Sequence, residues 1–163
     1  MPAPRILFVK LSSLGDVIHH LPAVTDLRAH RADARIDWAV EESYARLVAL
    51  HPAVSRVVPV GLRALRARPF DRAAWARLAE SRAALRAEAW DYVIDTQGLV
   101  KSALVARTAR GRRYGMDAAS VRERAAASFY DVGIAVPREL HAVERNRRLV
   151  GAVFGYAVEG PAR

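Results

Sequence analysis

Strand-like and helix-like segments alternate along the first sixty residues, and no other feature constrains the fold of this chain as strongly. The apolar run at 6–9 is not interrupted by polar residues, which is typical of a strand buried on both faces. Strand patterns follow at 35–40 and 54–60, and apolar residues between the first two recur at helical spacing. This βαβαβ order predicts an α/β fold: a Rossmann-like, doubly wound, mostly parallel sheet with helices on both faces.

The remaining sequence continues this alternation. The patterns predict a helix at 72–88 with Trp75 facing the core, a strand at 91–95, a helix from 100 to about 109 and a last helix at 139–154. A length of 163 residues, of which 52% are hydrophobic, is sufficient for one domain with a sizeable core.

A polar turn at 10–16 joins the first strand to the first helix. Open α/β sheets bind ligands beyond the carboxyl ends of their strands, so this turn is the first candidate site. Gly15 permits close backbone approach, and Asp16 stands where free N–H groups favour a carboxylate. The residue types alone allow Asp16 to be either a helix cap or a functional carboxylate. Ser12 and Ser13 either satisfy turn amides or contact a ligand.

The chain carries a net charge of +9 and has a pI near 10.9, which predicts an anionic partner. Arginine-rich coding bias is the alternative explanation, since Lys10 and Lys101 are the only lysines. The absence of cysteine excludes disulfides and thiolate metal ligands. No signal peptide is evident, and no apolar run approaches the roughly 20 residues of a membrane span. We therefore expect a cytoplasmic protein.

Basic residues are predicted to share the carboxyl-end crevice with the first turn. Arg63 and Arg66 lie in a predicted loop at 61–71, directly after the third strand. Lys101 falls in the first turn of a helix, where an anion would meet both the helix N-terminus and the ammonium group. On spacing alone, a solvated basic surface explains the arginines equally well.

Five separated segments, in order, resemble the lipopolysaccharide heptosyltransferases, and the type I enzymes in particular. They are Lys-Leu-Ser-Ser-Leu-Gly-Asp-Val at 10–17, Val-Glu-Glu at 40–42, Ile-Asp-Thr-Gln-Gly-Leu-Val-Lys-Ser-Ala at 94–103, Tyr-Gly-Met-Asp at 114–117 and His-Ala-Val-Glu-Arg at 141–145. The resemblance implies the GT-B architecture of two Rossmann-like domains. It makes 1–158 the acceptor-binding domain and 159–163 the start of an interdomain linker. The nucleotide-sugar domain would then lie outside this chain, and the chain alone is expected to be inactive.

The resemblance implies an inverting glycosyltransferase of lipopolysaccharide core synthesis. Such an enzyme moves L-glycero-D-manno-heptose from ADP-heptose to a Kdo residue of Kdo-lipid A, and we expect no cofactor. No metal is expected either, because the Asp-x-Asp pattern of metal-dependent sugar transferases is absent from the sequence. The lipid-linked acceptor implies a peripheral position on the cytoplasmic face of the bacterial inner membrane.

The same resemblance assigns roles to particular residues. It makes Asp16 the general base that takes the proton of the acceptor hydroxyl. Ser12 and Ser13 would orient the acceptor sugar. The other acceptor-binding residues are basic and would pair with Kdo carboxylates or lipid phosphates; they are Arg63, Arg66, Lys101, Arg122, His141 and Arg145.

Three alternatives remain at the level of sequence. One is another member of the family, such as heptosyltransferase II. Another is a basic nucleic-acid-binding α/β module, although an aromatic stacking surface and a known recognition motif are lacking, so we expect no nucleic acid partner. The third is a dinucleotide-binding oxidoreductase domain, whose first turn uses several glycines where this chain has one.

Overall fold

The computed structural model describes residues 3–162, which form a six-stranded parallel sheet. Its strands are β1 Arg5–Val9, β2 Arg35–Glu41, β3 Arg56–Val60, β4 Ala89–Asp95, β5 Arg110–Met116 and β6 Val132–Ile134. Their spatial order is β3-β2-β1-β4-β5-β6, so the chain starts in the middle, builds outward to one edge and then returns to build the other. This order confirms the predicted doubly wound fold and puts the topological switch point between β1 and β4.

Helices follow the strands and cover both faces of the sheet. Within residues 3–162 they are α1 Leu14–Ile18, α2 Leu21–His30, α3 Ala45–Ala49, α4 Leu62–Ala67, α5 Arg72–Ala87, α6 Val100–Thr108 and α7 Ala142–Phe154. Two short 3₁₀ helices span Glu42–Tyr44 and Arg124–Phe129. None of the described helices combines the length and apolarity needed to cross a membrane.

Strand β1 is buried on both faces, as its unbroken apolar run predicts. Ile6 and Phe8 belong to one core, which also contains apolar residues of α2, α3 and α7. Leu7 and Val9 point to the opposite face, into a second core with residues of α5 and α6. Successive side chains of a strand alternate between faces, so a central strand with helices on both sides has no solvent-facing position.

The helix predicted after the first turn is two helices. Helix α1 ends at Ile18 and α2 begins at Leu21, with Pro22 in its first turn, where a missing N–H costs nothing. The loop predicted at 61–71 contains α4, whose Ala- and Leu-containing sequence supports a helix. The three-residue β6 was not predicted, because so short a segment shows no periodicity.

The prediction that Trp75 packs into the core is wrong. Helix α5 turns Ala74, Ser81 and Leu85 inward, at spacings of seven and four residues. The side of α5 that carries Trp75 faces solvent: the residue is 54% exposed, and its indole N–H donates to the Pro69 carbonyl at 2.8 Å. The helical spacing of the apolar residues correctly predicted Leu85 as buried but wrongly included Trp75.

Arg147 ties the end of the described chain to the helical layer. This α7 residue is 3% exposed and donates to Asp26 of α2 at 2.6 Å. It also donates to the carbonyls of Glu159 at 3.1 Å and Gly160 at 3.0 Å. One buried guanidinium therefore joins α2, α7 and the segment that follows α7.

His20 lies wholly inside the core, between aromatic rings. Phe8 and Trp38 each contact it edge-on, with ring centroids 4.7 and 4.8 Å away. Neither of its ring nitrogens has a hydrogen-bond partner. Burial, and then the positive charge of Lys10, hold the pKa of His20 well below its usual value, so the ring is neutral.

We expect the His20→Leu variant to lose less stability in acid than the wild type. Below about pH 6.5 His20 binds a proton in the unfolded chain but stays neutral in the folded protein. This contribution to the free energy of unfolding is therefore complete above that pH and is lost by up to about 1.4 kcal/mol per pH unit below it. The difference in urea-unfolding free energy between pH 7 and pH 5 measures this effect. Equal losses in the two proteins would show that His20 protonates without unfolding.

Candidate functional site

The switch point brings two post-strand turns side by side. Val9 of β1 is in register with Asp95 of β4, and the Thr96 amide donates to the Val9 carbonyl at 3.2 Å. Residues 10–16 therefore leave the sheet directly beside residues 96–99. Ligands of doubly wound sheets bind in the crevice that such diverging turns create.

Asp16 lies in the first turn of α1 and faces this crevice. Its Oδ2 accepts from the Ser13 amide at 3.1 Å and from Arg122 Nη1 at 3.3 Å. Burial works to raise the pKa of Asp16, but the Ser13 hydrogen bond and the charges of Lys10 and Arg122 outweigh it, so the pKa lies below its ordinary value. Asp16 is therefore an ionised carboxylate at neutral pH.

Lys10 forms the floor beneath Asp16. Its side chain is 4% exposed, and Nζ donates to the Thr96 carbonyl at 2.8 Å and to Asn146 Oδ1 at 3.4 Å. Burial lowers the pKa of Lys10 to about 8, although Asp16 and Asp95 oppose the shift. The ammonium form thus predominates at neutral pH and supplies a positive charge next to Asp16.

Around Asp16 is a cavity of about 190 Å³, which we call the Asp16 cavity. Its lining residues come from five segments of the chain; they are Lys10, Asp16, Thr96, Gln97, Met116, Arg122, Leu140, Ala142, Arg145 and Asn146. Arg145 Nη2 donates to the Ser120 carbonyl and lies 3.0 Å from Met116 Sδ. The charge on the cavity wall is mostly positive.

A second cavity of about 460 Å³, the arginine cavity, shares the 10–16 turn. Its lining residues are Ser12, Glu41, Leu62, Arg63, Arg66, Ala67 and Lys101. Ser12 Oγ accepts from Lys101 Nζ at 2.9 Å. Glu41 accepts from the Arg63 amide at 3.1 Å and so holds the start of α4, while burial raises the pKa of its carboxyl.

The predicted site residues fall into two groups and two exceptions. Ser12, Arg63, Arg66 and Lys101 line the arginine cavity, and Asp16, Arg122 and Arg145 line the Asp16 cavity.

The exceptions, Ser13 and His141, line neither cavity. Ser13 acts through its amide on Asp16. His141 caps α7, its Nδ1 accepting from the Val143 amide at 3.3 Å, and its ring packs on His19 with centroids 5.1 Å apart. The structure thus gives His141 a local partner, as expected of a helix cap.

Lys10, Gln97, Asn146 and Glu41 also contribute to the site but were not among the predicted site residues. Lys10 and Gln97 each follow a buried strand, and that position is a usable signal. Asn146 lies within a helix among polar neighbours, so its sequence position carries no signal. Among residues 3–162 no group of three His, Cys, Asp or Glu side chains is arranged to hold a metal ion.

The fold of this α/β domain is that of the amino-terminal half of solved GT-B glycosyltransferases, and this similarity defines its structural class. The sequence profile described as glycosyltransferase family 9 (heptosyltransferase) matches residues 77–162, more than half of the chain. The chain belongs to this heptosyltransferase family. Membership favours the resemblance seen in the sequence over the oxidoreductase and nucleic-acid-binding alternatives.

Individual relatives agree on the type of enzyme. Lipopolysaccharide heptosyltransferase 1 of Escherichia coli (strain K12) is 46% identical over 154 residues, which are 94% of this chain and 48% of that protein. The solved E. coli heptosyltransferase WaaC with ADP is similar at 44% identity and TM-score 0.89, covering 94% of this chain and 48% of its own. WaaC with ADP-2-deoxy-2-fluoro heptose matches at 42% identity and TM-score 0.92, covering 97% and 51%. The chain therefore spans about half the length of these relatives.

We expect Lys10→Met and Arg122→Gln each to raise the pKa of Asp16, because each removes a positive charge that stabilises the carboxylate. Carbon-13 NMR titration of the Asp16 carboxyl measures the change directly. Arg124→Gln is the matched control, since this exposed arginine makes no contact with Asp16 and should leave the titration unchanged. An unchanged Asp16 titration in both test variants would contradict the electrostatic account.

Proposed function

We propose that this chain is the acceptor-binding half of an inverting heptosyltransferase I. The complete enzyme would move L-glycero-D-manno-heptose from ADP-heptose to a Kdo residue of Kdo-lipid A. The observation that carries the proposal is the ionised Asp16 carboxylate at the switch point, beside two cavities with cationic walls. The names of the relatives support the same reaction.

Asp16 would act as the general base. In an inverting transfer the acceptor oxygen attacks the anomeric carbon as the bond to the diphosphate breaks, and that bonding pair leaves with ADP. The acceptor proton moves to an Asp16 carboxylate oxygen. Because the pKa of Asp16 is low, proton transfer is expected late, once bond formation has made the acceptor hydroxyl acidic.

The acceptor would be held by its negative charges. Arg63, Arg66 and Lys101 of the arginine cavity suit phosphate or carboxylate oxygens, and Arg122 and Arg145 suit an anion next to Asp16. Ser12, hydrogen-bonded to Lys101, would orient a sugar hydroxyl. His141, which caps α7, contributes by ordering the start of that helix rather than by lining a cavity.

The donor would bind to a second domain. We infer that residues 1–158 form the acceptor domain and that 159–163 begin the connection to the donor domain; residues 1, 2 and 163 lie outside the described residues. A solved relative holds ADP-2-deoxy-2-fluoro heptose, an analogue of the donor proposed here.

Replacing Asp16 with asparagine should lower heptose transfer by about 10² or more, the usual contribution of a general base. The measurement is transfer from ADP-heptose to Kdo-lipid A by the full-length enzyme that contains this chain. Kdo-lipid A binding should persist, because asparagine keeps the size of the side chain. Asp33→Asn, at an exposed position in the turn between α2 and β2, is the control and should keep full activity. Heptose transfer by Asp16→Asn at the wild-type rate would show that Asp16 is only a helix cap.

We also infer that the turn between α4 and α5 rests on the cytoplasmic face of the inner membrane. Phe70 in this turn is 97% exposed, and the nearby Trp75 is 54% exposed. Arg66, Arg68 and Arg72 flank Phe70 in the sequence and are exposed. Aromatic rings prefer the membrane interface, and arginines are attracted to anionic headgroups, so this tip combines both requirements of a peripheral contact.

Phe70→Ser should weaken binding to vesicles that contain phosphatidylglycerol, by up to about tenfold for a ring that enters the interface. Trp75 reports binding through a blue shift of its fluorescence, because Trp38 and Trp90 are already buried. The matched control is Leu50→Ser, which removes another exposed apolar side chain from a different loop. Equal vesicle binding by Phe70→Ser and wild type would refute this orientation.

A further inference from the structure

The backbone of the turn that leads to Asp16 is held by one side chain from the neighbouring turn. Gln97 Oε1 accepts from the Leu11 amide at 2.7 Å and from the Ser12 amide at 3.4 Å. The Lys10 amide is bound to the Ala39 carbonyl of β2, and the Ser13 amide is bound to Asp16. Gln97 therefore supplies the acceptor for the two amides that lie between the sheet and the Asp16 contact.

Gln97 is itself held in place by a buried carboxylate. Asp95 is 1% exposed, and its Oδ1 accepts from the Gln97 amide at 2.8 Å and from the Gly98 amide at 3.2 Å. Its Oδ2 accepts from Ser102 Oγ and Tyr130 Oη, both at 2.8 Å. Burial raises the pKa of Asp95, while these four donors favour the ionised form.

The local backbone allows this arrangement because of Gly98. Its φ of +69° is a backbone conformation that residues with a side chain rarely adopt. A Cβ there would lie 2.8 Å from a methyl group of Val121. The turn is consequently tight enough for Gln97, 2% exposed, to aim its side chain back at Leu11.

We propose that Gln97 is a positioning residue for the transfer reaction. By holding the Leu11 and Ser12 amides, its side-chain oxygen fixes the turn on which Ser12 and Asp16 face the two cavities. This inference rests on the function proposed above and adds a residue to it. Loss of the oxygen would leave a buried amide without an acceptor and let the turn shift, and displacements of about 1 Å near a reacting group lower rates by as much as ~10².

Three variants separate positioning from other roles of Gln97. Gln97→Met matches its length but has no oxygen acceptor, and Gln97→Asn keeps an acceptor but moves it back by one methylene. Gln97→Glu retains an acceptor at the same reach and tests whether an oxygen at that position is sufficient to hold the turn. A glutamate would also add negative charge beside Asp16, and would raise the pKa of Asp16.

The test uses the full-length enzyme that contains this chain, with kinetics and hydrogen exchange measured on the same samples. Gln97→Met and Gln97→Asn should lower kcat about 10- to 100-fold with little change in KM for ADP-heptose. Peptides that cover residues 10–13 should exchange faster in both. Gln97→Glu should keep slow exchange at 10–13, and the acid limb of its pH–rate profile should move to higher pH.

Each other result overturns the inference in a distinguishable way. Slow exchange at 10–13 in Gln97→Met, which has no oxygen acceptor, would show that the turn does not depend on the Gln97 oxygen. Fast exchange with unchanged kcat would show that order in the turn does not matter for transfer. A wild-type enzyme without heptose transfer would overturn the proposed function first, and the positioning role with it.

Discussion

The pairing of β1 with β4 is the interaction on which the site depends. It brings together strands that are 80 residues apart in the chain, and their register sets Val9 beside Asp95. Both strands are buried within the sheet, so apolar packing on two faces stabilises this register. A slip of one residue would turn the core side chains of β1 toward the wrong layer and would also separate Gln97 from Leu11.

Burial and charge act in opposite directions within the crevice. Lys10 and Asp95 are both almost completely buried, and contacts made within the crevice offset part of the cost of burying their charges. Asp16 remains partly open to solvent, and its carboxylate is stabilised by the cations around it. The interior groups are thus committed to structure, while Asp16 is partly accessible, as its proposed role as general base requires.

Sequence reasoning recovered the features that depend on local pattern. The apolar run of β1 predicted a doubly buried strand, and the position of Asp16 after it predicted a residue of the crevice. It failed where the rotation of a helix about its axis decides which residues are buried. Trp75 is exposed because α5 buries a neighbouring stripe of side chains instead. The position of Gln97 after β4 marks it as a residue of the crevice, but its contact with Leu11, 86 positions away, is not revealed by any periodicity or spacing.

The buried guanidinium of Arg147 gives α7 the character of a mechanical link. The adjacent Asn146 accepts a hydrogen bond from the ammonium group of Lys10, and Arg147 donates hydrogen bonds to the carbonyls of Glu159 and Gly160. A helix is stiff over such a short distance. The direction of the chain after α7 is therefore fixed relative to Lys10 through the adjacent residues Asn146 and Arg147. The position of the Lys10 ammonium group and the course of the chain at 159–160 are therefore set by two adjacent residues of one helix.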